Sequence, residues 1–155
     1  MHRFSLSPAC PGRLYLQHHG GVYRSDDGGE TWITTETGLP SNFGFPVLAH
    51  PRKPDVAYVN VLAEDGRWAP DGHMAVWKTS NAGGSWEPMR QGLPQDHAFL
   101  TVLREGMAHD GGDPLGVYFG TRQGQVYATA NEGESWNCIA ENLPAVLGVA
   151  AVVVD

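Results

Sequence analysis

No stretch of this chain gathers anything near the ~20 consecutive apolar residues that cross a bilayer, so no membrane-spanning helix is expected. The opening residues, MHRFSLSPACPGR, lack the apolar centre of a secretory signal. Charge is sparse as well. Asp, Glu, Lys and Arg make up 17% of 155 residues, with 10 basic against 17 acidic side chains and a net charge of −7. Lysines and arginines nowhere cluster, which argues against a nucleic acid or an anionic membrane as partner. Cysteine is nearly missing: Cys10 and Cys138 are far apart in sequence and show no CxxC spacing, so neither a zinc site nor a disulfide framework is expected. Two free thiols suit a reducing compartment, and the expected location is cytoplasmic.

Turn chemistry, by contrast, is abundant. Twenty glycines and 11 prolines accompany a hydrophobic content of 41%, a globular composition with frequent turns and few long helices. Self-comparison shows why. SDDGGETW (Ser25 to Trp32), TSNAGGSW (Thr79 to Trp86) and TANEGESW (Thr129 to Trp136) match position for position. Each is preceded by an apolar–aromatic pair (Val22-Tyr23, Val76-Trp77, Val126-Tyr127) and followed by Leu-Pro (Leu39-Pro40, Leu93-Pro94, Leu143-Pro144). Further upstream come RLYLQ, VAYVNV and GVYFGT, each with a proline four residues before its tyrosine: Pro11, Pro54 and Pro114. Before those lie the apolar runs FSLS, FPVLAH and FLTVL.

This is a threefold repeat, and each unit reads as four short strands, A to D. Four strands in a period of about 50 residues point to an all-β fold of β-propeller blades, each of four antiparallel strands. The expected units are 1–40, 41–94 and 95–144. The tail AVLGVAAVVVD, 145–155, is expected as an extra strand, the inner strand of a fourth blade.

The three quoted segments resemble the Asp-box, or BNR repeat, of sialidases, some glucanases, sortilin-type receptors and photosystem assembly propellers, and the resemblance covers essentially the whole chain. The box residues are Ser25, Asp27, Gly29, Thr31 and Trp32 in the first copy; Thr79, Asn81, Gly83, Ser85 and Trp86 in the second; Thr129, Asn131, Gly133, Ser135 and Trp136 in the third. Turn physics explains them without a ligand. Asp or Asn accepts backbone N–H bonds, glycine supplies positive φ, and the tryptophan is expected to bury its ring between outer strands. Asn in two of three copies drops the charge, so no metal and no cofactor is expected.

Alternating strands put the A–B and C–D loops on one face, and the B–C and D–A loops on the other. In sialidase-like families the working site lies on the second face. Carried over, this points to the B–C loops Gln17–Gly20, Leu62–His73 and Thr121–Gly124, and to the D–A loops Ser41–Gly44 and Gln95–His97. The second B–C loop is long: Tyr58 and Trp77 are 19 residues apart, against 8 and 9 in the other units. Candidate ligand-binding residues are Arg67, Trp68, Arg104, Arg122, His18 and His19. The carboxylates available for catalysis are Glu64, Asp65 and Glu105. His50 and His109 fall on the A–B side and are left out.

A sialidase needs an arginine triad, an acid and an activated nucleophile. The Arg-Ile-Pro element that opens sialidase domains is absent, and no tyrosine is clearly paired with a glutamate. The expectation is therefore a non-catalytic propeller that binds a carbohydrate, peptide or protein; the alternative is a glycoside hydrolase with an axial carboxylate site. Three blades leave open sheet edges. They close either through further blades of a longer polypeptide or by self-association of two copies.

Overall fold

The computed structural model describes residues 3–154. Its elements are twelve strands: β1 (Arg3–Leu6), β2 (Leu14–His18), β3 (Gly21–Ser25), β4 (Ile33–Thr34), β5 (Gly44–Ala49), β6 (Ala57–Val61), β7 (Val76–Thr79), β8 (Glu87–Met89), β9 (Val102–His109), β10 (Val117–Thr121), β11 (Val126–Thr129) and β12 (Asn137–Ala140). A single 3-10 turn covers Pro70–Gly72. The strands form three antiparallel sheets in the orders β1-β2-β3-β4, β5-β6-β7-β8 and β9-β10-β11-β12. No helix is long and apolar enough to cross a membrane among the described residues.

The sheets stack face to face. Between the first and second lies a core of Tyr15, Val22, Val47, Ala57, Val59, Val61, Trp77 and Trp86. Between the second and third lies another, with Tyr58, Val76, Val102, Met107, Phe119, Tyr127 and Trp136. Strand β6 alternates between the two cores, Ala57, Val59 and Val61 facing one and Tyr58 the other, so every one of its residues is buried. By contrast β1 has one face covered, and Phe4 and Leu6 are exposed. The inner strands β1, β5 and β9 lie side by side: the Ala49 N–H donates to Ser5 Oγ at 2.9 Å, and Arg3 bonds the Arg104 carbonyl and pairs with Glu105.

The repeated turns between β3 and β4, β7 and β8, and β11 and β12 are built alike. Ser25, Thr79 and Thr129 each accept the N–H of Gly29, Gly83 and Gly133 at 2.9, 2.8 and 3.1 Å. Their hydroxyls donate to Asp27, Asn81 and Asn131, whose Oδ1 atoms accept the N–H of Thr31, Ser85 and Ser135. The glycines have φ of 99°, 84° and 94°, which a Cβ disfavours.

Several expectations need correction. Gln17 and Thr121, read as loop residues, are fully buried strand residues, because the first and third B–C connections are tighter than their sequences suggest. Trp86 and Trp136 are buried as expected, but Trp32 is 37% exposed because no sheet precedes the first. The third inner strand begins at Val102, leaving Phe99 in the lead-in. The tail is extended without forming a regular strand. It meets β9 through one parallel bridge, Glu105 to Gly148, and through the Val149 N–H to the Glu105 carbonyl. It thus lies beside the last inner strand. Asp155 is outside the described residues.

Candidate functional site

The long β6–β7 connection is closed on itself and then fastened to its neighbours. Arg67 N–H donates to the Ala63 carbonyl and Ala63 N–H to that of Trp68, both at 2.8 Å. The Asp65 carboxylate accepts the Gly66 N–H at 2.8 Å, and Arg67 takes a left-handed φ of 56°. Gly66 fixes where the indole lies: a Cβ on it would stand 2.1 Å from the Trp68 ring. The loop then runs along the β8–β9 connection, with Ala69 N–H to the Leu100 carbonyl, Ala98 N–H to that of Gly72, and the Thr101 hydroxyl to the Arg67 carbonyl. Gln123, in the β10–β11 turn, completes the clamp by donating to the Phe99 carbonyl and accepting the Thr101 N–H.

The outcome is an aromatic corner. Trp68 and Phe99 meet edge to face, centroids 5.5 Å apart at 79°, yet they remain 40% and 46% exposed. His97 flanks Phe99 at 6.4 Å. A preordered pair of exposed rings is the kind of aromatic patch that binding surfaces use.

A second cluster adjoins the first through Arg67. Its guanidinium lies 6.0 Å from the Phe43 ring, which also contacts His19 at 5.2 Å and Phe45 at 5.4 Å. Arg104 stands 5.2 Å from Phe45. His18 and His19 have ring centroids 6.0 Å apart. The structure therefore brings Arg67, Arg104 and His19 onto one buried phenylalanine pair, with His18 beside His19 and Trp68 next to Arg67 in the chain. Arg122 stands exposed at the β10–β11 turn, its N–H donating to the Thr101 carbonyl. Glu64 and Asp65 are exposed at the loop tip, and Glu105 is engaged by Arg3.

Among the described residues no group of three His, Cys, Asp or Glu comes together to hold a metal ion. The carboxylates held below their ordinary range serve turns and ion pairs elsewhere. Asp27 is lowered first by the Thr31 hydroxyl, then by the Thr31 N–H and Ser25; Glu132 is lowered by Lys53 despite partial burial. Sequence reasoning missed Phe99, which reads as part of an apolar strand, and Gln123, whose role shows only once two loops meet. The aromatic lead-in Phe43, two residues before β5 gains its second ring at Phe45, was a usable signal for the second cluster.

Neither a family model nor a curated protein matches the sequence. Solved structures do match. An ancestral GH74 enzyme superposes with a TM-score of 0.68 at 18% identity, over 93% of this chain and 18% of its own. The GH74 xyloglucanase from Xanthomonas campestris gives 0.65 at 22% identity, over 86% and 20%. YCF48 bound to the D1 peptide gives 0.55 at 17% identity, over 93% and 40%. These likenesses agree with three stacked four-stranded sheets whose inner strands adjoin. The chain is made of β-propeller blades. It spans about a fifth of the GH74 enzymes' length and two-fifths of that of YCF48. At such identities the propeller architecture is shared, and the activities named for those proteins are not thereby carried over.

Proposed function

We propose that this chain is an Asp-box-type propeller segment that acts as a binding module, and that the Trp68–Phe99 corner is where an extended glycan stacks. The supporting observation is the exposure of that ring pair on a loop clamped by Thr101 and Gln123. A preordered aromatic surface gives up little conformational entropy on binding. His97 supplies a polar group beside Phe99, and Arg67 and Arg122 are exposed on the adjoining loops. A general acid for glycoside hydrolysis sits in an apolar pocket that raises its pKa, opposite a second carboxylate. Exposed Glu64 and Asp65 at a loop tip and ion-paired Glu105 do not offer that environment.

The same fold carries a xyloglucanase and a protein bound to a peptide, so xyloglucan oligosaccharides and extended peptides are the probes to compare. Titration of xyloglucan oligosaccharides, followed by tryptophan fluorescence and calorimetry, is expected to saturate. Trp68→Ala is expected to weaken binding about tenfold or more, equivalent to about 1.4 kcal/mol. Gly66→Ala, which displaces the indole, should do the same without lowering the melting temperature. Release of reducing ends, abolished by E64Q, D65N or E105Q, would establish the hydrolase reading instead. Saturable peptide binding that depends on Trp68, without glycan binding, would change the ligand class.

A further inference from the structure

The two sheet-to-sheet junctions in this chain share a plan but differ at the indole: Trp86 Nε1 donates across its junction, whereas Trp136 Nε1 is buried without a hydrogen-bond partner among the described residues. In the first, Trp86 donates its backbone N–H to the Thr37 carbonyl at 2.9 Å and its indole N–H to the Thr35 carbonyl at 2.6 Å. In the second, Trp136 donates its backbone N–H to the Gln91 carbonyl, also at 2.9 Å. Beside each tryptophan a glycine faces a side chain of the preceding sheet, and at Gly83 a Cβ would collide with it. A Cβ on Gly83 would lie 2.6 Å from Thr35, and one on Gly133 would lie 3.4 Å from Met89. Thr35 and Met89 each follow their own sheet's tryptophan by three positions. The junction is thus a knob on one sheet and a Gly–Trp groove on the next.

One knob and one groove are left over. Ile139, which holds the same place after Trp136, is 58% exposed. The groove beside Gly29 and Trp32, with Phe4, Leu6, Pro11 and Leu14, is an open apolar hollow of about 430 Å³. Phe4 and Leu6 on its wall are 52% and 59% exposed. The two surfaces correspond to the outer halves of a junction the chain already makes twice, with the tail taking the place beside β9 that the neighbouring inner strand takes within the chain.

We infer that they meet between two copies of this chain. Ile139 of one copy enters the Gly29–Trp32 groove of the other. Each copy offers one groove and one knob, so a two-fold pair satisfies both ends of both chains. Toward the inner strands the tail fills the slot beside β9, with Val146 and Val149 packed where Gly120 leaves space. Its outermost residues Val152, Val153 and Val154, 81%, 69% and 85% exposed, then cover Phe4 and Leu6 of the other copy. One position departs from the internal pattern. Gly38 and Gly92 lie so close under Trp86 and Trp136 that a Cβ would stand 2.6 and 2.0 Å from their carbonyl oxygens, whereas the third repeat carries Asn142 there, at φ 59°. That Cβ holds the outer corner of the third junction open, so Ile139 and the tail carry the contact.

Light scattering on a sizing column tests this with the 155-residue chain. The expected mass is twice 16.8 kDa. Leu6→Asp and Ile139→Asp change exposed side chains, so each variant should keep its circular dichroism and lose the doubled mass. Mixed together they should regain it in part, because one intact knob then faces one intact groove. Asn142→Gly should tighten the pair. A single-chain mass for the unmodified chain at its highest soluble concentration would overturn the proposal and leave both surfaces to further sheets of a longer polypeptide. A higher mass, or a doubled mass that survives either Asp variant, would overturn the head-to-tail pairing.

Discussion

Asp27 and its counterparts Asn81 and Asn131 do the same job with different chemistry. Each Oδ1 accepts the N–H four residues on, but the second atom of the side chain behaves oppositely. Asp27 Oδ2 accepts a hydrogen bond from the Thr31 hydroxyl, whereas Asn81 and Asn131 donate from Nδ2 to Ser85 and Ser135 Oγ at 3.0 and 2.9 Å. The hydroxyl turns to suit its partner. Asp27→Asn should therefore keep the turn and change the urea midpoint little at pH 7, while Asp27→Ala should lower it. The charge shows itself only in acid. The Thr31 and Ser25 bonds hold the folded Asp27 pKa below its unfolded value. Its contribution is present above the unfolded pKa of about 3.9 and is lost as pH falls through the folded value. D27N should accordingly have a shallower acid limb than the parent; equal slopes would mean the carboxylate is not held as described.

At the scale of strands and loops, the three tryptophans separate sequence signal from context. Trp86 is 3% exposed and gives its indole proton to Thr35, whereas Trp32, at the same place in its repeat, is 37% exposed and bonds only its own turn at Gly29. Truncation of Trp86 to Ala should cost about 3–5 kcal/mol in a denaturant titration, and that of Trp32 less than half as much in the Ile139→Asp background, where no second copy covers the ring. Comparable losses would show that the exposed ring is buried by another copy or another sheet. The sequence carries the repeat, and hence strand number, order and the turns, because those depend on neighbours within about ten residues. Burial of a repeated residue depends on which sheet lies beyond it, so Trp32 was misjudged. The same limit explains the loops. The length of Leu62–His73 flagged the right connection, but its partners Phe99 and Gln123 come from other repeats, and nothing local couples them to Trp68. Gln17 looked like a loop residue beside two histidines; its amide in fact bonds the carbonyls of His18, Gly21 and Asn42 and joins two sheets.

Across the whole molecule, charge crosses both junctions and sets how stability follows pH. Arg13 spans the first junction, bonding Asp26 at 2.7 Å and also Asp55; Glu132 spans the second, bonding Lys53 at 2.6 Å with Lys78 at 3.5 Å and the buried His50 at 3.7 Å. Lys53 holds Glu132 below its ordinary range, and Arg13 and Arg24 hold Asp26 low against the effect of burial. Burial lowers His50, whose Nδ1 already accepts the N–H groups of Arg52 and Lys53 and so carries no proton in the fold. All three folded pKa values lie below the unfolded ones. Their contributions are present above the unfolded values and decay as pH falls, His50 first from about 6.5, then the carboxylates from about 4. On the alkaline side Tyr15, whose hydroxyl donates to the Pro54 carbonyl across the first junction, is pushed up by burial to about 12. Its contribution is full below the unfolded value of about 10 and is lost as pH rises through the folded one. The urea midpoint should therefore be flat from about pH 7 to 10 and fall on either side, with the acid decline beginning near 6.5. His109 is lowered by burial as well, so His50→Asn, which keeps an acceptor for the same two N–H groups, should reduce the first part of that decline and leave the remainder and the steeper carboxylate limb in place. A decline near 6.5 of undiminished size in H50N would remove His50 from the second junction's pH response.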